Sequence, residues 1–166
     1  MKYSILLTGC LCVVLLAVMP VQAFTSQTLT ISLDGAGNAQ ADMQYELSIP
    51  EQAALFFHVA DLKSELKSAL ENNLGEEITI NKVDGSSAEV IIPSFATLSY
   101  TNTTSTMATP EFSFASAQDS LRNKWYSSFV PADFAPETTT ITFPDGYQAS
   151  FNNLITIPSV SHQITA

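Results

Sequence analysis

The stretch that most constrains the fold lies between Ser48 and Gly75. Its apolar residues recur at three- and four-residue steps, which places them on one stripe of a helix. They are Leu55, Val59, Leu62, Leu66, Leu70 and Leu74. Ser48 and Glu51 have the spacing of a capping box, and Gly75 suits the left-handed residue that closes a helix. The pattern predicts one long helix over 51–74, which requires an apolar partner surface.

The first 23 residues have the layout of a secretory signal peptide. Lys2 is followed by an apolar run from Tyr3 to Met19, and Val21 and Ala23 are the small residues expected before a cleavage site. An uncleaved membrane anchor is the alternative, although the run is at the short end of the roughly 20 residues that span a bilayer. We therefore predict a signal peptide over 1–23, with secretion to the extracellular space or the exterior of the cell envelope.

The remaining chain is acidic and free of cysteine. The protein has 16 acidic and six basic residues, and its only two cysteines lie within the predicted leader. A basic surface is what nucleic acids require, so the charge argues against a nucleic-acid partner. No later apolar run has spanning length, and we expect no membrane span after signal removal. With no composition shift that would mark a linker, residues 24–166 are predicted to form one domain.

Strand patterns surround the predicted helix. Alternating apolar and polar residues flank Gly-containing turns at Asp34, Asp84 and Asp145, which is typical of β-hairpins. The predicted strands are 28–33, 41–47, 77–83, 88–92, 95–100, 138–143, 147–151 and 154–157, with 111–114 extended. A short helix is predicted over 115–125, a polar loop over 101–106 and an irregular loop over 129–136. The expected fold is therefore α+β: an antiparallel sheet of about six to seven strands, packed by one long helix and one short helix.

Few residues in the chain are suited to catalysis. His58 lies beside the predicted helix stripe, and His162 lies in a polar segment that we interpret as a tail. A serine hydrolase needs a serine, a histidine and an acid in register, and no Gly-x-Ser-x-Gly motif is present. We assign no catalytic residue, and we lean against an enzyme.

Metal and cofactor motifs are also missing from the sequence. Two scattered histidines do not make a zinc site. Asp34, Asn38 and Asp42 do not match a calcium loop, although calcium is the metal that an acidic chain leaves open. Phosphate-binding and dinucleotide-binding glycine motifs are absent. We expect no metal and no cofactor, and we identify Asn102, in Asn-Thr-Thr, as the candidate glycosylation site.

Three functions are consistent with these patterns. The first is a secreted non-enzymatic protein that acts by surface contact, either on a cell surface or by self-association. The second is a carrier of an apolar ligand between helix and sheet, in a cavity lined by Phe56, Leu62, Leu66, Tyr45 and Phe151. The third is a small secreted hydrolase, which requires His58 or His162 to be paired with a carboxylate.

Overall fold

A computed structural model of the protein describes residues 25–46, 63–64, 67–68, 70–71, 75, 77–101, 104–122 and 133–164. These residues contain eleven strands and one regular helix. The strands are β1 (Thr25–Leu33), β2 (Ala39–Glu46), β3 (Thr79–Val83), β4 (Ser87–Ile92), β5 (Thr97–Tyr100), β6 (Ser105–Ala108), β7 (Phe112–Ser113), β8 (Thr138–Thr142), β9 (Gln148–Asn152), β10 (Thr156–Ile157) and β11 (Ser161–Ile164). Helix α1 is Ala115–Arg122. No helix in the described ranges is long and apolar enough to cross a bilayer.

The largest unit is a six-stranded sheet with the order β3-β4-β2-β1-β8-β9. Three antiparallel hairpins build it, each closed by one of the three turns predicted from the sequence. The hairpins join because β2 pairs with β4 in an antiparallel manner and β1 pairs with β8 in a parallel manner. The sheet is therefore mixed, with the parallel pair in its interior.

Two smaller sheets accompany the large one. One has the order β11-β6-β5, and the other pairs β10 with β7. Their buried residues Met107 and Ile157 belong to the same hydrophobic cluster as the inward residues of the large sheet. That cluster includes Leu29, Ile31, Leu33, Val90, Ile92, Phe95, Ile141 and Phe143. The core is therefore enclosed between strands, with one face of the large sheet forming its main wall.

The predicted α+β class is wrong for the described part of the protein, which consists mainly of strands distributed over three sheets. We expected one antiparallel sheet with a long helix across one face. The core is built by strand pairings between distant parts of the chain, and a local periodic pattern such as the leucine stripe does not show such pairings.

Most of the predicted long helix lies outside the described residues. The described positions within it, 63–64, 67–68 and 70–71, are helical. Leu70 packs against the core cluster. Gly75 has a φ of 74°, and its N–H donates to the carbonyl oxygen of Glu71 at 2.8 Å, as expected for a residue that closes a helix. These few helical positions do not amount to a layer packed on the sheet.

Two strands lie where the sequence suggested irregular structure. The interpretation of 101–106 as a loop is wrong from Ser105 onward, because β6 begins there and pairs with both β5 and β11. The segment around His162, interpreted as a tail, is strand β11. The predicted short helix is confirmed over Ala115–Arg122, and its last three predicted residues, 123–125, lie outside the described part.

Thr139 on β8 is fully buried, and its hydroxyl has no hydrogen-bond partner within the described structure. It faces the core between Leu29 and Phe151. A buried hydroxyl without a partner has lost its hydration without compensation, so Thr139→Val is expected to raise the free energy of unfolding by about 1 kcal/mol. Urea unfolding measures the change. Thr140→Val, which alters the opposite face of the same strand, should shift stability by less than about 0.5 kcal/mol, and equal effects at the two positions would contradict the assigned facing of β8.

Candidate functional site

The outer face of the large sheet carries a continuous group of uncharged hydrogen-bonding side chains on β1, β8 and β9. We call this surface the hydroxyl face. It consists of Thr28, Thr30, Ser32, Thr138, Thr140, Thr142, Gln148, Ser150 and Asn152. Side chains alternate between the two faces of a strand, so the apolar residues between these positions point into the core. The residues of the hydroxyl face on β1 and β9 are exposed, and those on the intervening β8 are half-buried.

Strand register arranges the hydroxyl face in three rows that cross the strands. The rows are Thr28–Thr138–Asn152, Thr30–Thr140–Ser150 and Ser32–Thr142–Gln148. Neighbouring strands lie about 4.8 Å apart, and alternate residues of one strand are separated by about 6.7 Å. Because β1 and β8 are parallel and in register, the hydroxyl groups form a regular two-dimensional array.

Hydrogen bonds across β8 and β9 hold part of this array in place. Thr138 Oγ1 donates to Asn152 Oδ1 at 3.3 Å, and Gln148 Nε2 donates to Thr142 Oγ1 at 3.3 Å. In the middle row, the hydroxyl oxygens of Thr140 and Ser150 are 3.5 Å apart. Every side chain in these pairs keeps further donor or acceptor capacity, because a hydroxyl offers one donor and two lone pairs. The side chains in these rows are therefore held in place and can still form further hydrogen bonds.

Charged residues begin where the hydroxyl face ends. Asp42 on β2 lies opposite Thr30, and the outer face then continues to Glu89 and Lys82 on β4 and β3. Glu89 Oε1 accepts hydrogen bonds from Gln40 Nε2 at 3.2 Å and from Asn81 Nδ2 at 2.9 Å. One half of the outer face is thus neutral while the other carries charge.

A second cluster joins the small sheet to the β8–β9 turn. His162 Nε2 lies 2.7 Å from Asp145 Oδ2, with the two side chains 20% and 13% exposed. The imidazole stacks on Tyr147 with ring centroids 4.1 Å apart and an interplanar angle of 9°, and it meets the edge of Phe143 at 5.1 Å. His162 is therefore held by strand, carboxylate and rings, which corrects its interpretation as a residue of a loose tail.

The Asp145–His162 pair supplies two of the three groups of a hydrolytic triad. A nucleophile must also lie within hydrogen-bond reach of the imidazole. Within the described residues, Asp145 is the one side chain that forms a hydrogen bond with His162. The hydrogen bond and the ring contacts of His162 connect β11 to the β8–β9 turn.

The β3–β4 turn is stabilised by one carboxylate. Asp84 Oδ1 accepts hydrogen bonds from the backbone N–H groups of Ser86 and Ser87, both at 2.8 Å, and Asp84 Oδ2 lies 2.7 Å from Lys82 Nζ. The hydrogen bond with Lys82 and those from the two backbone groups hold the pKa of Asp84 well below its usual value. Tyr45 donates its hydroxyl proton to the carbonyl oxygen of Asp84, and burial followed by the Asp84 charge raises the pKa of Tyr45 to about 12.

Asp84 should make stability depend on pH under acidic conditions. Its folded-state pKa is lowered from 3.8, so its contribution is complete above that value and is lost as the pH falls below it. Asp84→Asn is therefore expected to be less stable than the wild type at pH 7, with the difference shrinking below about pH 4. Urea unfolding at pH 7 and pH 3 tests this, and a difference that stays constant between the two would contradict the assignment.

Of the described residues singled out from the sequence, the structure brings Asp34 and Asn38 into contact. Asn102, the candidate glycosylation site, and His58 lie outside the described residues. The Asp34 carboxylate accepts hydrogen bonds from the backbone N–H of Ala36 and from the backbone N–H and side-chain amide of Asn38. These contacts stabilise the β1–β2 turn in which Asp34 lies. These hydrogen bonds lower the pKa of Asp34, the side-chain amide first. Within the described ranges, no three His, Cys, Asp or Glu side chains form a metal-binding group.

The hydroxyl face was missed because its strands are neighbours only in the folded sheet. Thr and Ser alternate with apolar residues in 28–32, and four of the five residues in 138–142 are threonine, so both patterns are visible in the sequence. Neither pattern shows that the two strands pair in parallel and in register.

Comparison with known proteins gives no match to a family model, to a curated protein or to a solved structure.

Proposed function

We propose that the protein is a non-enzymatic contact module that binds a neutral, hydroxyl-rich polymer of the cell exterior through its hydroxyl face. The observation that carries the proposal is the array of nine uncharged hydrogen-bonding side chains in three registered rows. A polysaccharide without charged groups offers the complementary donors and acceptors along its length. Secretion, predicted from the leader, would bring the protein to such polymers.

The charge distribution favours a neutral partner. The chain has a formal net charge of −10, yet no residue of the hydroxyl face is charged. Charged side chains usually keep an exposed sheet face hydrated and apart from other surfaces. Their exclusion from this half of the sheet leaves an acidic protein with one surface that a neutral polymer approaches without desolvating a charge.

The rigidity of the strands that carry the hydroxyl face favours the same kind of partner. The rows lie on three paired strands whose opposite faces are packed into the core, so the side chains are held on regular structure rather than on a loop. The hydroxyl face is an exposed sheet surface, whereas pockets for small ligands are usually concave. Many weak contacts along an extended chain are a means by which an exposed surface gains affinity.

The two alternative functions remain hypotheses. Three of the five residues proposed to line a carrier cavity, Phe56, Leu62 and Leu66, lie outside the described part of the chain. The hydrolase hypothesis requires a histidine paired with a carboxylate, and the Asp145–His162 pair meets that requirement. Among the described residues, no serine, threonine or cysteine side chain is hydrogen-bonded to His162.

Co-sedimentation with microcrystalline cellulose and with chitin, two insoluble neutral polysaccharides, tests the proposal. We expect retention that changes little between low and high salt, because neutral contacts are not screened. Thr28→Glu/Thr30→Glu should lower the bound fraction about tenfold or more, since it places two charges on the array.

The matched control is Thr97→Glu/Ser99→Glu, which adds the same charges at alternate exposed positions of β5 in the small sheet. It should bind like the wild type. The proposed function would be overturned if the wild type bound neither polymer, or if both double variants lost the same share of the bound fraction. Unfolding curves of all three proteins ensure that folded chains are compared.

A further inference from the structure

Strand β9 forms one edge of the large sheet and has no pairing partner on its outer side within the described residues. The hairpin register shows which of its backbone groups are open. The Phe143 N–H donates to the Tyr147 carbonyl oxygen at 2.8 Å, so residues 147, 149 and 151 direct their backbone groups toward β8. Gln148, Ser150 and Asn152 therefore direct N–H and C=O groups toward the open edge.

The opposite edge of the same sheet is protected, and β9 is not. Strand β3 has a register irregularity at Asn81 and carries Lys82, two features that prevent edge-to-edge pairing. Strand β9 is paired regularly with β8 over five residues and contains no charge and no proline. The outer strands of the small sheet, β5 and β11, are shorter, at four residues each. An open, neutral and regular edge is a template for another strand.

The sequence of β9 is complementary to itself in the antiparallel direction. Centred on Ser150, two copies would place Gln148 opposite Asn152 on the outer face, which pairs one amide side chain with another. On the inner face the small Ala149 would lie opposite the large Phe151, which avoids a clash of two rings. In this register the outward-directed residues Gln148, Ser150 and Asn152 all fall in hydrogen-bonded pairs.

We propose that β9 pairs antiparallel with β9 of a second copy of this chain, about a twofold axis through Ser150. A symmetric interface of this kind is self-complementary by construction. The axis is perpendicular to the sheet, so the two large sheets become one continuous sheet of twelve strands. The interface buries a single short edge, so the dimer is weak and depends on protein concentration.

The pairing has a consequence that rests on the proposed function. A twofold axis perpendicular to the sheet keeps both hydroxyl faces on the same side, adjacent at β9. A dimer would then present twice the area to one polymer, which raises the apparent affinity without any new type of contact. Dimerisation itself does not depend on polymer binding, so the two proposals fail separately.

Sedimentation velocity of the full chain over a concentration series measures the pairing. To exclude disulfides between leaders, the chain carries Cys10→Ser and Cys12→Ser. We expect a shift from monomer toward dimer as concentration rises to about 200 µM. Ser150→Lys should abolish the shift, because two lysines would face each other at the centre of the interface. Thr79→Lys places the same charge on β3, at the opposite edge, and should dimerise as the wild type does.

Oxidative cross-linking gives an independent measurement. Opposed residues of a hydrogen-bonded antiparallel pair have Cα atoms about 5.5 Å apart, a distance suited to a disulfide. In the same cysteine-free background, Ser150→Cys should form a covalent dimer under mild oxidation, and Thr79→Cys should not. A protein that stays monomeric at every concentration, or a dimer that persists in Ser150→Lys, would overturn the proposal even if polymer binding is observed.

Discussion

Replacing Met107 by alanine is expected to lower the free energy of unfolding by about 2–5 kcal/mol. Met107 is fully buried on β6, the middle strand of the small sheet, and belongs to the cluster that also contains the inward residues of the large sheet. Truncating its side chain removes apolar contacts on both sides and leaves a cavity, because the surrounding strands are held by their own pairing. Chemical denaturation of the purified variant measures the loss.

The matched control for Met107 is its neighbour Thr106, which is half-buried on the other side of the same strand. Thr106→Ala should cost less than about 1 kcal/mol, since it leaves the core filled. If both substitutions had the same small effect, the small sheet would not pack on the large one. That result would contradict the shared core, in which the β11-β6-β5 sheet covers the inner face of the large sheet.

Replacing Gly37 by alanine is expected to cost about 2–4 kcal/mol. Gly37 has a φ of 86°, a region that L-residues rarely adopt, and a Cβ atom there would overlap the carbonyl oxygen of Ala96. The close approach is needed because the Ala96 N–H donates to the Gly37 carbonyl oxygen at 2.8 Å, and the Ser94 N–H donates to Asn38 Oδ1 at 3.1 Å. The β1–β2 turn is thereby fixed to the segment before β5.

Gly35 offers a matched control two residues earlier in the same turn. A Cβ atom added at Gly35 would meet no other atom within 4 Å, and the backbone there does not have a positive φ. Gly35→Ala should change stability by less than about 1 kcal/mol, and in the stabilising direction if the unfolded chain loses entropy. Thermal or urea unfolding of the two variants side by side tests the docking of the turn, and equal stabilities would contradict it.

Local features of the fold were predictable from the sequence. The hairpins around Asp34, Asp84 and Asp145 were found because turn residues and alternation lie next to each other in the chain. The beginning of α1 at Ala115 was also correct, and the Ser113 hydroxyl accepts a hydrogen bond from the Ala115 N–H at 3.2 Å. In each of these cases the determining contacts span only a few residues.

Non-local pairings were not predictable in the same way. Strand β6 is a short segment, Ser-Thr-Met-Ala, and it becomes a strand because β5 and β11 pair with it on both sides. The pairing of β1 with β8 joins segments more than 100 residues apart. Tertiary context decides such strands more than residue preference does. A single sequence shows their composition but not their neighbours.

The candidate site illustrates the same limit. Alternation in 28–33 predicted a strand with one polar face, and the burial pattern confirms that facing. The β-branched run in 138–143 predicted a strand, which is confirmed as β8, but did not predict which face of it is polar. The array arises only when the two strands lie side by side in register. His162 shows the same limit, because its contact with Asp145 depends on where β11 lies relative to the β8–β9 turn.

Amide chemical-shift mapping during titration with cellohexaose, a soluble neutral oligosaccharide, tests the central claim most directly. Binding through the hydroxyl face predicts shifts centred on Thr28, Thr30, Thr140 and Ser150, with the exposed strand β5 unaffected. Shifts confined to β5 or to the Asp145–His162 contact would contradict the claim. So would the absence of any shift up to about 10 mM ligand.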